Sequence, residues 1–139
     1  MTGLPVLKEM DAGACRAALA TADLGRLAVV IEALPAIRPV RYALHDDHLV
    51  FRVRSLSRLR GAAGNHVVAF QADRTESPAS AWTVEVHGLC QEVTCADLRA
   101  QLESLPLPAW ERRRWSSDVF LRLPLDHVSG QQVIWDYGR

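Results

Sequence analysis

Two neighbouring stretches of the chain, residues 37–44 and 48–53, are apolar and strand-like, and in the second of them hydrophobic and polar residues alternate. In the second stretch Leu49, Phe51 and Val53 fall on one side, because side chains of a β-strand point alternately to opposite faces. The polar residues between the two stretches include two aspartates, which tolerate the backbone of a tight turn. The pattern therefore predicts a β-hairpin.

Other apolar runs, bounded by polar or turn-forming residues, predict five more strands. They cover residues 26–32, 66–73, 81–93, 119–123 and 132–135. Gly88 lies near the middle of the longest run and predicts a bulge or sharp bend there. The strands are short and joined by tight connections, which is typical of an antiparallel barrel.

Two stretches have helical features. Residues 11–22 are rich in alanine and begin with Asp11, a good N-cap residue. Residues 94–105 carry a leucine stripe and begin with Thr94, followed three residues later by Asp97, which resembles a capping box. We therefore predict a barrel with peripheral helices.

Two stretches have no clear strand or helix pattern. Residues 1–10 are predicted to form a loose lead-in. Residues 110–115 contain three arginines between two tryptophans, and we predict a short exposed helix or loop there. Stacking of single-stranded nucleic acid on those tryptophans is an alternative, which the nearby acidic residues disfavour.

The bulk properties restrict the function classes. The chain has 139 residues, so we expect a single domain over residues 1–139. Hydrophobic residues make up 49%, charged residues 23%, and the formal net charge is zero, which disfavours nucleic acid as a partner. No apolar run is long enough to cross a membrane. The histidines and the three cysteines, Cys15, Cys90 and Cys95, lack the spacing of metal ligands, so no metal is expected. The odd number of cysteines favours a reducing compartment, the cytoplasm.

The predicted hairpin leads into a candidate anion site. Residues 55–60 supply two serines and two arginines where a strand is predicted to give way to a helical turn. Hydroxyls, guanidiniums and free backbone N–H groups are the donors that a phosphate monoester needs. Ser57 and Arg58 are the leading candidates, although an ordinary N-cap followed by an exposed arginine remains an alternative.

Five short motifs occur in an order that resembles the pyridoxamine 5'-phosphate oxidase-like family of flavin-binding split barrels. They lie at residues 25–28, 39–42, 51–59, 69–73 and 82–88. The resemblance covers nearly the whole chain. It implies a mainly β fold with peripheral helices, a six- to seven-stranded antiparallel split β-barrel, and a homodimer with cofactor sites between its subunits.

The resemblance also implies which residues hold the cofactor, FMN. Arg38, Ser57 and Arg58 would bind its phosphate, the backbone of Pro39, Val40 and Arg41 would lie along the flavin ring, and Trp82 and Thr83 would approach the ring from the fifth predicted strand. Arg52 is a further candidate ligand on the third predicted strand. No residue stands out as a general acid or base, so the catalytic residues are unknown.

Two departures from the family pattern bear on the activity. Leu59 stands where the pyridoxamine phosphate oxidases carry a second basic residue, and the chain ends at Arg139 without their longer substrate-binding tail. These departures argue against vitamin B6 oxidation. The expected function is a flavin- or deazaflavin-dependent oxidoreductase acting on an unknown small molecule. The alternatives are a non-catalytic cofactor carrier or sensor and, less consistent with the net charge, an oligonucleotide binder.

Overall fold

A computed structural model describes residues 4–107 and 117–136. Its elements in chain order are β1 (Pro5–Met10), α1 (Ala12–Leu19), β2 (Leu24–Ile31), β3 (Leu34–His45), β4 (His48–Arg54), α2 (Arg58–Ala63), β5 (His66–Ser77), β6 (Ser80–Glu92), α3 (Ala96–Glu103), β7 (Asp118–Pro124) and β8 (His127–Trp135). The predicted loop or helix at residues 110–115 lies outside the described residues.

The eight strands form one antiparallel sheet that partly closes into a barrel. Their order is β1-β8-β6-β5-β2-β3-β4-β7, and β6 also pairs with β7 through Gln91–Arg122 and Glu92–Leu121. This additional pairing closes a ring of β6, β5, β2, β3, β4 and β7, and leaves β8 and β1 outside it. The predicted fold class, a mainly β split barrel with peripheral helices, is confirmed.

The structure has one strand more than the seven predicted, and this additional strand is β1. It lies in the predicted lead-in, so the prediction of a loose segment is wrong for residues 5–10. β1 pairs with β8 from Pro5–Trp135 to Met10–Gly130. Five of its six residues are exposed. Because neither face of the strand is buried, its sequence does not show the alternation of apolar and polar residues that predicts a strand. Backbone hydrogen bonds, which any sequence without internal proline can form, hold this strand in place.

Two hairpins turn through backbone conformations with positive φ. Glu32 and Ala33 connect β2 to β3 with φ of 52° and 63°, and Asp46 and Asp47 connect β3 to β4 with φ of 45° and 58°. Two consecutive residues in the left-handed region match the twist of the flanking strands. The predicted hairpin of β3 and β4 is confirmed.

Two predictions about local structure are wrong. α3 begins at Ala96 with Cys95 as N-cap, and no side chain caps it, so Thr94 does not form a capping box. Gly88 pairs in register with Val68, and the irregularity between β5 and β6 lies instead near Thr75. The second error arises because pairing along the whole β5–β6 hairpin, rather than a single glycine, sets the place of the irregularity.

The sheet separates two hydrophobic clusters. The larger cluster fills the barrel and includes the rings of Phe51 and Phe70, whose centroids lie 5.5 Å apart. The smaller cluster lies on the opposite face of β4 and β7 and packs against α3. It consists of Val50, Val93, Leu102, Leu107 and Phe120. β4 is therefore covered on both faces, which fixes the position of the turn that follows it.

Candidate functional site

Ser57 organises the turn between β4 and α2. Its Oγ accepts a hydrogen bond from the backbone N–H of Leu59 at 3.0 Å, while its own N–H donates to the carbonyl oxygen of Arg54. The extended backbone of Ser57 (φ −72°, ψ 141°) ends the strand and starts the helix. The N-cap interpretation of Ser57 is therefore confirmed, and its hydroxyl proton remains available to an acceptor.

Arg58 extends from the first position of α2 into solvent. Its Nη1 lies 3.4 Å from Glu32 Oε1, and the two side chains are 75% and 74% exposed. An exposed pair of this kind contributes about 0–1 kcal/mol to stability. A phosphate could therefore replace Glu32 as the partner of Arg58 at little cost.

Arg60, two residues further on, behaves differently. Its Nε and Nη2 donate to the two carboxylate oxygens of Glu92 at 2.6 and 3.1 Å, and its Nη1 donates to the carbonyl oxygen of Ser55 at 3.1 Å. The hydrogen bonds from Arg60 lower the pKa of the Glu92 carboxyl, and the same contact raises the pKa of Arg60. This fork ties the Ser57 turn to β6.

The fork forms one wall of an open depression of about 420 Å³. Its lining is polar or small and comprises Ser55, Leu56, Ser57, Arg60, Gly61, Gly64, Asn65 and Glu92. Sequence reasoning included Arg60 among the donors of residues 55–60 but missed Glu92, its partner. The two residues are 32 positions apart, and only the closure of the barrel brings them together.

The predicted ligands on β3 divide between the two faces of the strand. Val40 is buried in the core, and Arg38 shares its side of β3 but is exposed, with Nη1 donating to the carbonyl oxygen of Ile37 at 3.1 Å. Pro39 and Arg41 lie on the opposite side, since side chains alternate. Arg41 donates to Asp23 at 2.9 Å. Of the two arginines, only Arg38 lies on the core-facing side of the sheet.

Arg52 lies on the face of β4 that covers the smaller cluster. Its Nε donates to Asp118 Oδ2 at 3.0 Å, and its guanidinium lies 5.3 Å from the centroid of the Phe120 ring. The opposite face of β4 carries Phe51 and points into the barrel. Arg52 does not line the depression beside Ser57.

The Trp82–Thr83 pair also points in two directions. Trp82 is 4% exposed and belongs to the barrel core. Thr83 lies on the outer face, where its Oγ1 accepts from Gln71 Nε2 at 3.0 Å. Any contact of Trp82 with a ligand on the outer face would have to come from its backbone.

Within residues 4–107 and 117–136, no three His, Cys, Asp or Glu side chains are placed to hold a metal ion. None of the helices in these same ranges is long and apolar enough to cross a membrane.

Comparison with solved structures identifies close structural relatives. A Corynebacterium glutamicum protein provisionally described as a pyridoxamine 5'-phosphate oxidase superposes with a TM-score of 0.82 at 21% identity, over 95% of this chain and 96% of that one. An FAD-binding protein of Mycobacterium smegmatis gives 0.78 at 22% identity, over 93% and 98%. An FAD-binding protein of Mesorhizobium loti gives 0.75 at 24% identity, over 94% and 98%. At these identities the likeness establishes the fold.

Sequence comparison gives the same family. An uncharacterized protein of Mycobacterium tuberculosis is 29% identical over 134 residues, which cover 92% of this chain and 86% of that protein. The family model described as pyridoxamine 5'-phosphate oxidase matches residues 11–132. The chain therefore belongs to the pyridoxamine 5'-phosphate oxidase family.

Proposed function

We propose that the protein is a flavin-dependent oxidoreductase that binds its cofactor between the two subunits of a homodimer and acts on a small molecule. The observation that carries the proposal is the turn after β4, where Ser57 caps α2 and the next residue, Arg58, presents an exposed guanidinium, in a member of this family. A bound flavin supplies hydride-transfer chemistry, and the protein supplies binding and orientation.

The phosphate end of the cofactor is assigned to Ser57, Arg58 and Arg38. The Ser57 hydroxyl can donate one hydrogen bond, and Arg58 can exchange its weak contact with Glu32 for a charge-assisted one. Within the part of the chain that the structure describes, Arg38 has only a contact with a neighbouring carbonyl oxygen to give up. Arg60 is unsuited to this role because Glu92 already neutralises it, and it serves instead to hold the turn.

The proposed cofactor is FMN, with a deazaflavin coenzyme as the alternative. Two of the structural relatives are described as FAD-binding proteins, so FAD is a third candidate cofactor. All three cofactors carry a phosphate on the chain attached to the ring system. The Ser57–Arg58 turn therefore suits each of them, and their differences lie beyond that phosphate.

The homodimer is supported by an exposed apolar surface on the outer face of the sheet. We define the outer patch as Val30, Ile37, Val67 and Leu89, which are 62%, 66%, 78% and 45% exposed. The register of β2, β3, β5 and β6 places all four side chains on one face, opposite the core. A contiguous apolar patch of this kind marks an interaction surface.

A second copy of the chain is the occupant that suits this face. Beside the outer patch the same face carries Arg26, Arg41, Asp73, Glu85 and Glu9, so both signs of charge are present. A two-fold interface must be self-complementary, because the same surface meets itself. Mixed charges around an apolar centre satisfy that requirement.

A binding protein without turnover is the second candidate. Leu59, which replaces the second basic residue, packs against the barrel core and gives no charge to the site. The reduced positive charge favours weaker phosphate binding, as expected of a carrier or sensor rather than an enzyme that retains its cofactor.

The experiment that tests the proposal is a titration of purified apoprotein with FMN, FAD and a deazaflavin coenzyme, followed by fluorescence and by gel filtration. We expect one of the three to bind with one site per subunit to a dimer. Reduction of the bound cofactor and reoxidation by an acceptor would separate an oxidoreductase from a carrier. Failure of all three cofactors to bind would overturn the proposal.

A further inference from the structure

Two histidines lie directly opposite each other on the outer face of the sheet. His87 of β6 pairs with His127 of β8. Directly opposed residues of antiparallel strands have Cβ atoms about 5 Å apart. The sequence gives no sign of this pair, because the two histidines are far apart along the chain and only the β6–β8 register brings them together.

The pair continues a row that crosses five strands. From β3 to β8 the row consists of Ile37, Ala28, Ala69, His87 and His127. Its first member belongs to the outer patch, and His87 lies two residues from Leu89, another member. A partner that covers the outer patch therefore reaches, or lies immediately beside, the two imidazoles.

The charge of this row depends on pH. Imidazole is the side chain that normally gains its proton between pH 8 and 5, whereas carboxylates and guanidiniums ordinarily keep their charge over that range. Glu85 Oε2 lies 4.0 Å from His87 Nε2 and can offset part of a charge there. His127 makes no side-chain hydrogen bond or ion pair with any residue that the structure describes.

The remaining charged side chains on this face do not meet the pair. Arg26 and Asp73 contact each other at 3.7 Å, Arg41 contacts Asp23, and Glu9 accepts from Gln131. β5 presents only Ala69 directly opposite His87. Of these groups only the Glu85 carboxylate contacts the pair, and Asp126, the exposed residue that precedes His127, is the other acidic group next to it along the chain.

From this arrangement we infer that the His87–His127 pair makes association through the outer patch sensitive to pH. The inference rests on the proposed homodimer and adds its regulation. With neutral imidazoles the row is a largely uncharged extension of the outer patch. With both imidazoles protonated, two like charges face each other beside an apolar surface, and covering that surface requires their desolvation. Acidification therefore weakens the dimer and any cofactor site that the dimer completes.

The test is sedimentation velocity of the full chain at about pH 8 and about pH 5.5, a range that spans imidazole titration. We expect the dimer dissociation constant to rise about tenfold or more at the lower pH, which corresponds to about 1.4 kcal/mol. A variant with both His87→Gln and His127→Gln should have the same dimer dissociation constant at both pH values. His48→Gln, at the first position of β4, is the matched control and should keep the wild-type pH dependence.

A second variant supplies the charge directly. His127→Lys should weaken the dimer at about pH 8, because an ordinary lysine carries its positive charge there. A dimer whose dissociation constant is the same at both pH values, or a double glutamine variant that keeps the full pH dependence, would overturn the inference alone. A chain that is monomeric at both pH values would overturn the homodimer and this inference with it.

Discussion

The ring of Phe70 lies directly over the Cα atom of Gly25. A Cβ added at Gly25 would overlap Cζ and Cε2 of that ring and would lie 2.9 Å from the carbonyl oxygen of Gln71. Phe70 is 1% exposed and packs against both Tyr42 and Phe51, so the ring cannot move aside. The glycine at the start of β2 is therefore a requirement of core packing.

Gly25→Ala should lower the free energy of unfolding by about 1–3 kcal/mol, the usual cost of overpacking a core. Urea denaturation measures this change. Gly61→Ala is the control, because a Cβ there meets no atom within 4 Å. It should not lower the free energy of unfolding, since alanine is more favourable than glycine in a helix interior by about 0.5–1 kcal/mol. If Phe70 is the cause, the cost of Gly25→Ala must shrink in a Phe70→Leu background.

The β2–β3 turn offers a stabilising change. Ala33 has φ of 63°, a conformation that costs a non-glycine residue about 1–2 kcal/mol. Ala33→Gly should therefore raise the free energy of unfolding by about 1 kcal/mol, less the entropy that glycine adds to the unfolded chain. Ala100→Gly, on the exposed side of α3, should lower it by a similar amount. Thermal melts that move both variants in the same direction would contradict this account.

Arg58 and Arg60 should respond differently to truncation. Arg58→Ala should weaken cofactor binding by about 1.5–3 kcal/mol, the range for hydrogen bonds to charged groups, and leave the melting temperature unchanged because the Glu32 contact is exposed. Arg60→Ala should lower the melting temperature, because Glu92 and the Ser55 carbonyl both lose their donors. Cofactor titration beside thermal melts separates the two effects. Unchanged affinity in Arg58→Ala would remove Arg58 from the proposed site.

The Arg60–Glu92 fork also predicts a loss of stability in acid. The pKa of Glu92 is lowered in the folded protein, so its contribution is complete above the ordinary glutamate pKa of 4.5 and is lost as the pH falls through the folded value. Glu92→Gln should therefore lower stability at neutral pH and reduce its dependence on pH below about 4.5. The measurement is the urea midpoint of the wild type and of Glu92→Gln as a function of pH. If the midpoints of both proteins changed equally with pH, the fork would contribute nothing and the prediction would be wrong.

The three cysteines should differ in reactivity. Cys95 is exposed at the N-cap of α3, where the backbone N–H groups of Leu98 and Asp97 lower its pKa. Burial raises the pKa of Cys15, and it raises that of Cys90 to about 12. Thiolate is the reactive form, so a thiol-specific reagent should modify one cysteine rapidly and the others only on unfolding. Cys95→Ser should remove the rapid phase; its persistence would assign that phase to a buried thiol.

Sequence alone determined most of the strands and the position of the candidate turn. Alternation predicted β4 because its barrel side is apolar and buried, and an N-cap at Ser57 was the alternative to phosphate binding because a hydroxyl there satisfies a free N–H group. The order of short motifs indicated the family. These features are local, since each depends on residues a few positions apart.

Only the tertiary structure decided which distant residues meet. It paired β1 with β8 through backbone bonds that leave no side-chain pattern. It joined Arg60 to Glu92 and set His87 against His127. The physical reason is that strand register and barrel closure arise from the packing of the whole core, so contacts between strands remote in sequence follow from that packing and not from any stretch of residues.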